Sequence, residues 1–226
     1  MKTKIFTIII SIISFGGFSQ SDEFQYPEFI GQNLKNVIGS KQWEVLTQTT
    51  GDLNNDGLKD KALILQTKDS IKEKRCESCY FLKSKPRIII IALYQNDKYN
   101  IIIQNNKFIA RGDEGGMLPH LEPELSIKDS QLKIYYQFTR SNQSYTFKYK
   151  KGDIIIVSAE SNGVHSASGN FENDNFDFIE NEITSTTGNI SEEKDYTKII
   201  KFNAKPKSLS EFKEMGSWEI TENKFL

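Results

Sequence analysis

The residues whose types and spacing point to chemistry lie in one short segment, residues 51–60, which reads GDLNNDGLKD. Its oxygen-bearing side chains belong to Asp52, Asn54, Asp56 and Asp60. Three carboxylates and an amide this close together repel one another unless a hard cation lies among them, and calcium binds about six to eight oxygen atoms. Gly57 allows the sharp turn, and the carbonyl of Leu58 supplies a backbone ligand. The spacing DxNxDGxxD therefore predicts a calcium-binding loop.

The flanks of this loop predict a strand on either side. Residues 43–48 (WEVLTQ) and 61–67 (KALILQT) are rich in β-branched and aliphatic side chains. An EF-hand would need flanking helices and a bidentate glutamate at the twelfth loop position, which here is Leu63. The alternative is a hairpin loop without a metal, in which the Asn-Asp-Gly sequence simply makes the turn. Such a turn gives no role to Asp52 or Asp60, which favours calcium.

The first nineteen residues have the pattern of a secretory signal peptide. Lys2 and Lys4 precede a short apolar run, residues 5–15, and small residues precede a cleavage site ahead of Gln20. The run is shorter than the stretch of about 20 residues that spans a bilayer. We therefore expect an exported protein, periplasmic or secreted, with no transmembrane segment in the mature chain, residues 20–226.

The composition of residues 20–226 fits a single calcium-stabilised β domain, since all-β domains of about 200–250 residues are common. A formal net charge of −1 and an isoelectric point near 6.2 argue against a nucleic-acid partner, which requires a basic surface. Charge is uneven along the chain. Residues 68–87 carry seven basic and three acidic side chains, and residues 160–195 carry nine acidic side chains and one lysine. We interpret both stretches as solvated faces.

The rest of the chain predicts a mainly β fold. The β-type runs are residues 43–48, 61–67, 87–95, 99–104, 132–138, 145–150, 153–159, 176–186, 196–202 and 218–221. Short, turn-like linkers join several of them, so neighbouring strands should be antiparallel. The run 87–95 (RIIIIALYQ) has no alternation, which predicts burial on both faces. We expect an antiparallel meander curled into a sandwich or a partly open barrel, with an N-terminal helix at residues 26–40 and a short C-terminal helix at 208–215.

The sequence GDLNNDGLKDKALIL resembles the calcium loop and following strand of FG-GAP and VCBS repeats, which occur in integrin-type propellers and many bacterial surface proteins. No second copy of the motif occurs, so a propeller is not expected. The chain is also similar to a group of small exported bacterial proteins with one such loop, through NNKFIARGDEGG, LKIYYQF and SYTFKYKKGDIIIVS. The resemblance implies a β fold and no established activity. It also implies calcium held by Asp52, Asn54, Asp56, Leu58 and Asp60.

The two cysteines, Cys76 and Cys79, form CESC in a chain that we expect to be exported. A local disulfide that closes this loop is our main interpretation. A redox-active pair would need a strand before it and a helix beginning at it. A zinc site would need two further ligands, and the histidines are His120 and His165.

A second candidate site is the acidic, glycine-rich segment GDEGG, residues 112–116. Its glycines let backbone N–H groups approach a ligand, and Asp113 with Glu114 could act as an acid–base pair. The alternative is a wide turn with a solvated acidic tip. Further along, Asp174 and Asp177 lie among asparagines in FENDNFDF. We expect an acidic solvated loop there, with a weak second cation site as the alternative.

These observations lead to one functional hypothesis and two alternatives. The leading hypothesis is a non-enzymatic, exported calcium-binding β module that binds an envelope or extracellular partner. The alternatives are an envelope hydrolase that uses the carboxylates of Asp113 and Glu114, and an inhibitor or immunity-type protein. An enzyme would show a deep cleft with carboxylates of raised pKa, whereas a binding module would show an apolar or aromatic patch.

Overall fold

The computed structural model describes residues 24–75, 78–118 and 120–226. Most regular structure in these residues is antiparallel β, arranged in two main sheets and two small hairpins. The predicted signal peptide, residues 1–19, lies outside the described residues.

The first six strands form one main sheet and a small inserted hairpin. They are β1 (Trp43–Gly51), β2 (Asp60–Thr67), β3 (Ile71–Glu73), β4 (Leu82–Ser84), β5 (Arg87–Gln95) and β6 (Lys98–Asn105). The main sheet has the order β1-β2-β5-β6, and each strand is antiparallel to its neighbour. The hairpin of β3 and β4 interrupts the connection from β2 to β5.

The next seven strands form the second main sheet, in chain order. They are β7 (Glu124–Lys128), β8 (Gln131–Gln137), β9 (Ser141–Lys150), β10 (Asp153–Val164), β11 (Asn170–Asp177), β12 (Glu182–Asn189) and β13 (Tyr196–Lys201). A C-terminal hairpin follows, formed by β14 (Glu219–Thr221) and β15 (Lys224–Phe225). Because consecutive strands pair throughout this sheet, the predicted meander is confirmed.

The two main sheets face each other across one apolar core. The first sheet contributes Ala62, Ile64, Ile89, Ile91 and Ile103, and the second contributes Leu132, Ile134, Phe147, Ile154 and Phe176. A second cluster covers the opposite face of the first sheet and contains Phe29, Leu34, Val37, Trp43, Leu63, Leu65, Ile88 and Ile90. Each fully buried Ile or Leu stabilises the fold by about 1.5–3 kcal/mol relative to an exposed one. Because both clusters contain residues of β2 and β5, these two strands are buried on both faces, as predicted for residues 87–95.

The fold class is confirmed as a mainly β, antiparallel sandwich. Within the part of the chain that the structure describes, the sheets do not close into a barrel. The edge strand β1 comes close to β7, because a Cβ atom on Gly51 would lie 2.5 Å from Cγ2 of Ile127. A glycine at this position therefore lets the start of the predicted calcium loop lie directly against the second sheet.

The N-terminal helix is shorter than the predicted span of residues 26–40. Helix α1 covers Leu34–Ile38, and the side chain of Asn33 caps its first turn. Before it, Gly31 has a φ of 79°, and its N–H donates to the carbonyl of Ile101 in β6 at 2.8 Å. The residues ahead of α1 thus pair with the edge of the sheet, and the left-handed glycine prevents an earlier start of the helix.

The C-terminal helix predicted at residues 208–215 is a single 3-10 turn, Leu209–Glu211. It ends at Phe212, whose backbone is extended and whose ring is buried against Phe108 and Phe147. Burial of this ring in the core requires the chain to leave the helical path. Within the described ranges, no helix has the length and apolar character that a membrane span requires.

Candidate metal centre

The predicted calcium loop connects β1 to β2 and is anchored on both sides. Gly51 and Asp60 form the last antiparallel pair between the two strands. Leu53 then buries its side chain in the main core, with 1% of it exposed. The hydroxyl of Ser130, in the turn between β7 and β8, donates to Oδ1 of Asn55 at 2.5 Å. The loop therefore has contacts with both sheets, which limit its movement.

The polar side chains of the loop converge on its own backbone N–H groups. The Oδ1 atoms of Asp52 and Asn54 both accept from the N–H of Asp56, each at 3.2 Å. Oδ2 of Asp52 accepts from the N–H of Gly57 at 2.9 Å, and Oδ1 of Asp56 accepts from the N–H of Leu58 at 2.8 Å. The amide of Asn54 donates to Oδ2 of Asp56 at 2.9 Å. The first three predicted side-chain ligands therefore lie together.

The backbone of the loop has the turn conformations that its residue types favour. Gly57 has a φ of 83°, where a glycine has no steric cost. Asn55 has a φ of 61°, which asparagine tolerates better than most residues. The sharp turn predicted at Gly57 is therefore confirmed.

Asp60, the last predicted ligand, is fully buried and has a structural role of its own. Its Oδ2 accepts from the N–H of Leu53 at 2.9 Å, and its Oδ1 accepts from the N–H of Tyr94 at 3.0 Å. Burial raises the pKa of Asp60, and the charge of Asp56 raises it further, although hydrogen bonds from the backbone of Leu53, Tyr94 and Asn54 act in the opposite direction. Asp60 thus joins the loop to the end of β5.

The structure of the described residues shows no group of three His, Cys, Asp or Glu side chains arranged to hold a metal ion. In the loop, the third carboxylate, Asp60, is held by the backbone amides of Leu53 and Tyr94. The donor set still fits calcium, since every predicted ligand is an oxygen. A carboxylate oxygen that accepts one hydrogen bond also keeps a lone pair for a cation. The calcium site stays a prediction.

Comparison of the chain with protein-family models, curated proteins and solved structures finds no match. The resemblance to FG-GAP and VCBS repeats and to small exported bacterial proteins therefore stays a prediction.

Asp113 and Glu114 lie in a single 3-10 turn, Gly112–Glu114, between β6 and β7. Asp113 is exposed. Oε2 of Glu114 accepts from the backbone N–H of Arg111 at 2.8 Å, and Oε1 forms an ion pair with Arg75. Glu114 also borders an open cleft of about 370 Å³. Both carboxylate oxygens of Glu114 therefore help to hold this turn in place.

Cys76 lies outside the described residues, so its predicted disulfide with Cys79 stays a prediction. The two histidines considered as zinc ligands have separate local contacts. Nε2 of His120 lies 3.3 Å from a carboxylate oxygen of Glu122, and Nδ1 of His165 lies 2.9 Å from the hydroxyl of Ser168.

The segment around Asp174 and Asp177 is a strand, so the expectation of an acidic loop is wrong. It forms β11 and pairs with β10 and β12. Asp174 is buried, and its Oδ2 accepts from Nζ of Lys224 at 2.6 Å, while Glu172 accepts from the same ammonium at 2.7 Å. Asp177 lies three residues further, on the opposite face, and binds two backbone N–H groups of the next turn. The ammonium group of Lys224 supplies the positive charge beside Asp174, and Asp177 takes no part in this contact.

A buried ion pair that the sequence does not predict joins β3 to the loop after β6. Glu73 is 4% exposed and Arg111 is 1% exposed. Nε of Arg111 donates to Oε1 of Glu73 at 2.7 Å, and Nη2 donates to Oε2 at 3.2 Å. The hydroxyls of Ser84 and Tyr26 donate to the same carboxylate. Burial alone would raise the pKa of Glu73, but these hydrogen bonds and the charge of Arg111 outweigh burial and lower it.

Arg87 is also fully buried, so the interpretation of residues 68–87 as a solvated face is wrong for Arg87 and Glu73. Nη1 of Arg87 donates to the carbonyls of Ala110 and Leu121, both at 2.8 Å. These carbonyls flank the segment that contains Asp113 and Glu114, so Arg87 fixes its two ends. The sequence does carry one signal for the burial of these two arginines. Arg87 directly precedes a short apolar run, and Arg111 directly follows one.

Acid unfolding should report on the Glu73 ion pair. The pKa of Glu73 lies below its ordinary value of 4.5, so the folded protein keeps this carboxylate charged at a pH where the unfolded chain is protonated. The stability that Glu73 contributes is therefore complete above pH 4.5 and is lost as the pH falls through the lowered pKa. We expect the difference in unfolding free energy between wild type and Glu73→Gln, from urea titrations, to narrow below pH 4.5. A difference that is constant from neutral to strongly acidic pH would contradict this.

Proposed function

We propose that the chain is an exported, calcium-binding β module that acts by binding a partner. The observation that carries the proposal is the convergence of Asp52, Asn54 and Asp56 in a loop with contacts to both sheets. The basic and apolar pattern of residues 1–19 supports export.

The electrostatics of the loop support a bound cation. Asp52 and Asp56 carry like charges, and Oδ1 of Asp52 lies 3.2 Å from the backbone nitrogen of Asp56. Two like charges in one short loop repel each other, and solvent screens part of this repulsion because the loop is largely exposed. Calcium between them would remove this repulsion, and it is the cation whose flexible, all-oxygen coordination suits the predicted donor set.

The contacts of Glu114 and the exposed position of Asp113, the two candidate catalytic residues, favour binding over hydrolysis. The oxygens of Glu114 bind Arg75 and the backbone of Arg111, and Asp113 lies at an exposed turn. In contrast, Tyr94 and Tyr99 form a partly exposed aromatic pair, and the backbone N–H of Tyr94 donates to Asp60 at the end of the loop. A partly exposed aromatic pair is typical of a binding surface.

Calcium should raise the melting temperature of the protein by several degrees relative to EDTA. Extracellular calcium modules have dissociation constants of about 10⁻⁴–10⁻³ M, so calcium at a few millimolar would stabilise the fold by about 1–3 kcal/mol. Asp52→Ala and Asp56→Ala should each abolish this increase, because each removes a ligand charge. Differential scanning calorimetry in EDTA and in excess calcium measures the effect.

The matched control is Asp97→Ala, since Asp97 lies in the hairpin turn between β5 and β6, outside the loop. This variant should keep the full calcium response. Magnesium should replace calcium poorly, because it requires a tighter octahedral geometry. Identical melting curves in EDTA and in excess calcium, with no bound ion in elemental analysis, would disprove the calcium site.

A further inference from the structure

A groove of about 390 Å³ lies between α1 and the hairpin of β5 and β6. Its apolar wall is formed by Leu34 and Ile38 of α1, and 41% of Ile38 is exposed. Its opposite wall carries Tyr94 and Tyr99, whose ring centroids lie 5.0 Å apart. Both tyrosines are partly exposed, so part of this wall is open to a ligand.

The charged side chains at the groove are mostly basic. Lys35, Lys61 and Lys98 border it, and Asp97 is the acidic residue among those that line it. Nζ of Lys61 lies 4.8 Å from the centroid of Tyr99, which is within the range of a cation–π interaction. The groove therefore combines a net positive charge with an aromatic surface, and this combination fits an anionic ligand that has an apolar face.

The backbone beside the groove is already paired, which disfavours an extended peptide. β6 is the edge strand of its sheet. Its exposed side is taken by the segment before α1, because the N–H of Gly31 donates to the carbonyl of Ile101 at 2.8 Å and the N–H of Ile101 donates to the carbonyl of Gln32 at 3.1 Å. A peptide that binds a sheet edge needs free backbone N–H and C=O groups on the edge strand, and here they are paired. A sugar ring needs only the aromatic faces and the charges.

We propose that this groove binds an acidic polysaccharide whose sugar rings stack on Tyr94 and Tyr99 and whose carboxylates or sulfates pair with Lys35, Lys61 and Lys98. The inference rests on the binding role proposed above but not on calcium. It names the chemical class of the partner that this role requires.

The test uses an oligogalacturonate, a chain of carboxylated sugars, titrated into the full-length mature protein in EDTA at low salt. In EDTA calcium cannot bridge the protein and the saccharide, so this result is independent of the calcium response. We expect saturable binding that weakens with added salt, since exposed ion pairs are screened. Tyr99→Ala and Lys61→Ala should each weaken binding by about tenfold, as expected for a central interface contact.

The matched control is another lysine–tyrosine cation–π pair, in which Nζ of Lys194 lies 5.5 Å from the ring centroid of Tyr196. Tyr196→Ala and Lys194→Ala should leave binding unchanged. Carboxyl-reduced, neutral oligosaccharide and poly-glutamate should both bind much more weakly than oligogalacturonate. Absence of saturable binding, an equal loss in the control variants, or equally tight poly-glutamate binding would overturn the proposal. The last result would assign the groove to acidic peptides.

Discussion

Glu73→Ala should lower the free energy of unfolding by about 3–5 kcal/mol, because it leaves the guanidinium group of Arg111 buried without its counter-charge. Arg111 is 1% exposed and makes two hydrogen bonds to this carboxylate, so water cannot easily replace the lost partner. The hydroxyls of Tyr26 and Ser84 lose their acceptor in the same variant. Urea unfolding followed by circular dichroism measures the loss. If Glu73→Ala does not fold, the milder Glu73→Gln should show the same direction.

The control is Glu44→Ala, which removes an exposed ion pair. The carboxylate of Glu44 lies 3.8 Å from Nζ of Lys85, and 45% and 39% of the two side chains are exposed, against 4% of Glu73. Its loss should cost about 0–1 kcal/mol. In addition, the double variant Glu73→Ala/Arg111→Ala should lose less stability than the sum of the two single variants, since the groups are coupled. Equal losses for Glu73→Ala and Glu44→Ala would contradict the buried ion pair.

The parts of the fold that the sequence predicts correctly are those that depend on local pattern. Residues 87–95 have no apolar alternation, and their strand is indeed buried on both faces. Asn96 and Asp97 are turn-forming residues, and both have positive φ in the hairpin that they connect. Local patterns of this kind also predict the antiparallel meander, because short turns leave consecutive strands no other neighbours.

The errors occur where distant residues decide the structure. β11 is rich in Asn and Asp, which disfavour strands, but it pairs on both sides and Lys224 neutralises Asp174 from 50 residues away. Likewise, Glu73 and Arg111 are separated by 38 residues, and nothing local indicates that they meet in the interior. For the candidate site, the sequence predicts that Asp52, Asn54 and Asp56 lie together, but it does not predict the contact from Asp60 to β5.

Asp60→Ala should destabilise the protein even in EDTA, where calcium cannot contribute. The substitution removes the acceptor for the N–H of Leu53, which is buried, and for the N–H of Tyr94, which is partly buried. A buried donor left without a partner costs about 1–3 kcal/mol. Because Asp60 itself is fully buried, water is poorly placed to replace its oxygens. Asp60→Ala should therefore cost several times more than Asp52→Ala, whose lost hydrogen bonds are exposed.

Urea titrations in EDTA and again in excess calcium separate the two roles of Asp60. They measure the unfolding free energies of wild type, Asp60→Ala and Asp52→Ala. In EDTA, Asp60→Ala should be clearly destabilised and Asp52→Ala should differ little from wild type. In calcium, both variants should fail to gain the stability that wild type gains. If Asp60→Ala matches wild type in EDTA, the hydrogen bonds to Leu53 and Tyr94 contribute nothing, and the structural role assigned to this carboxylate is wrong.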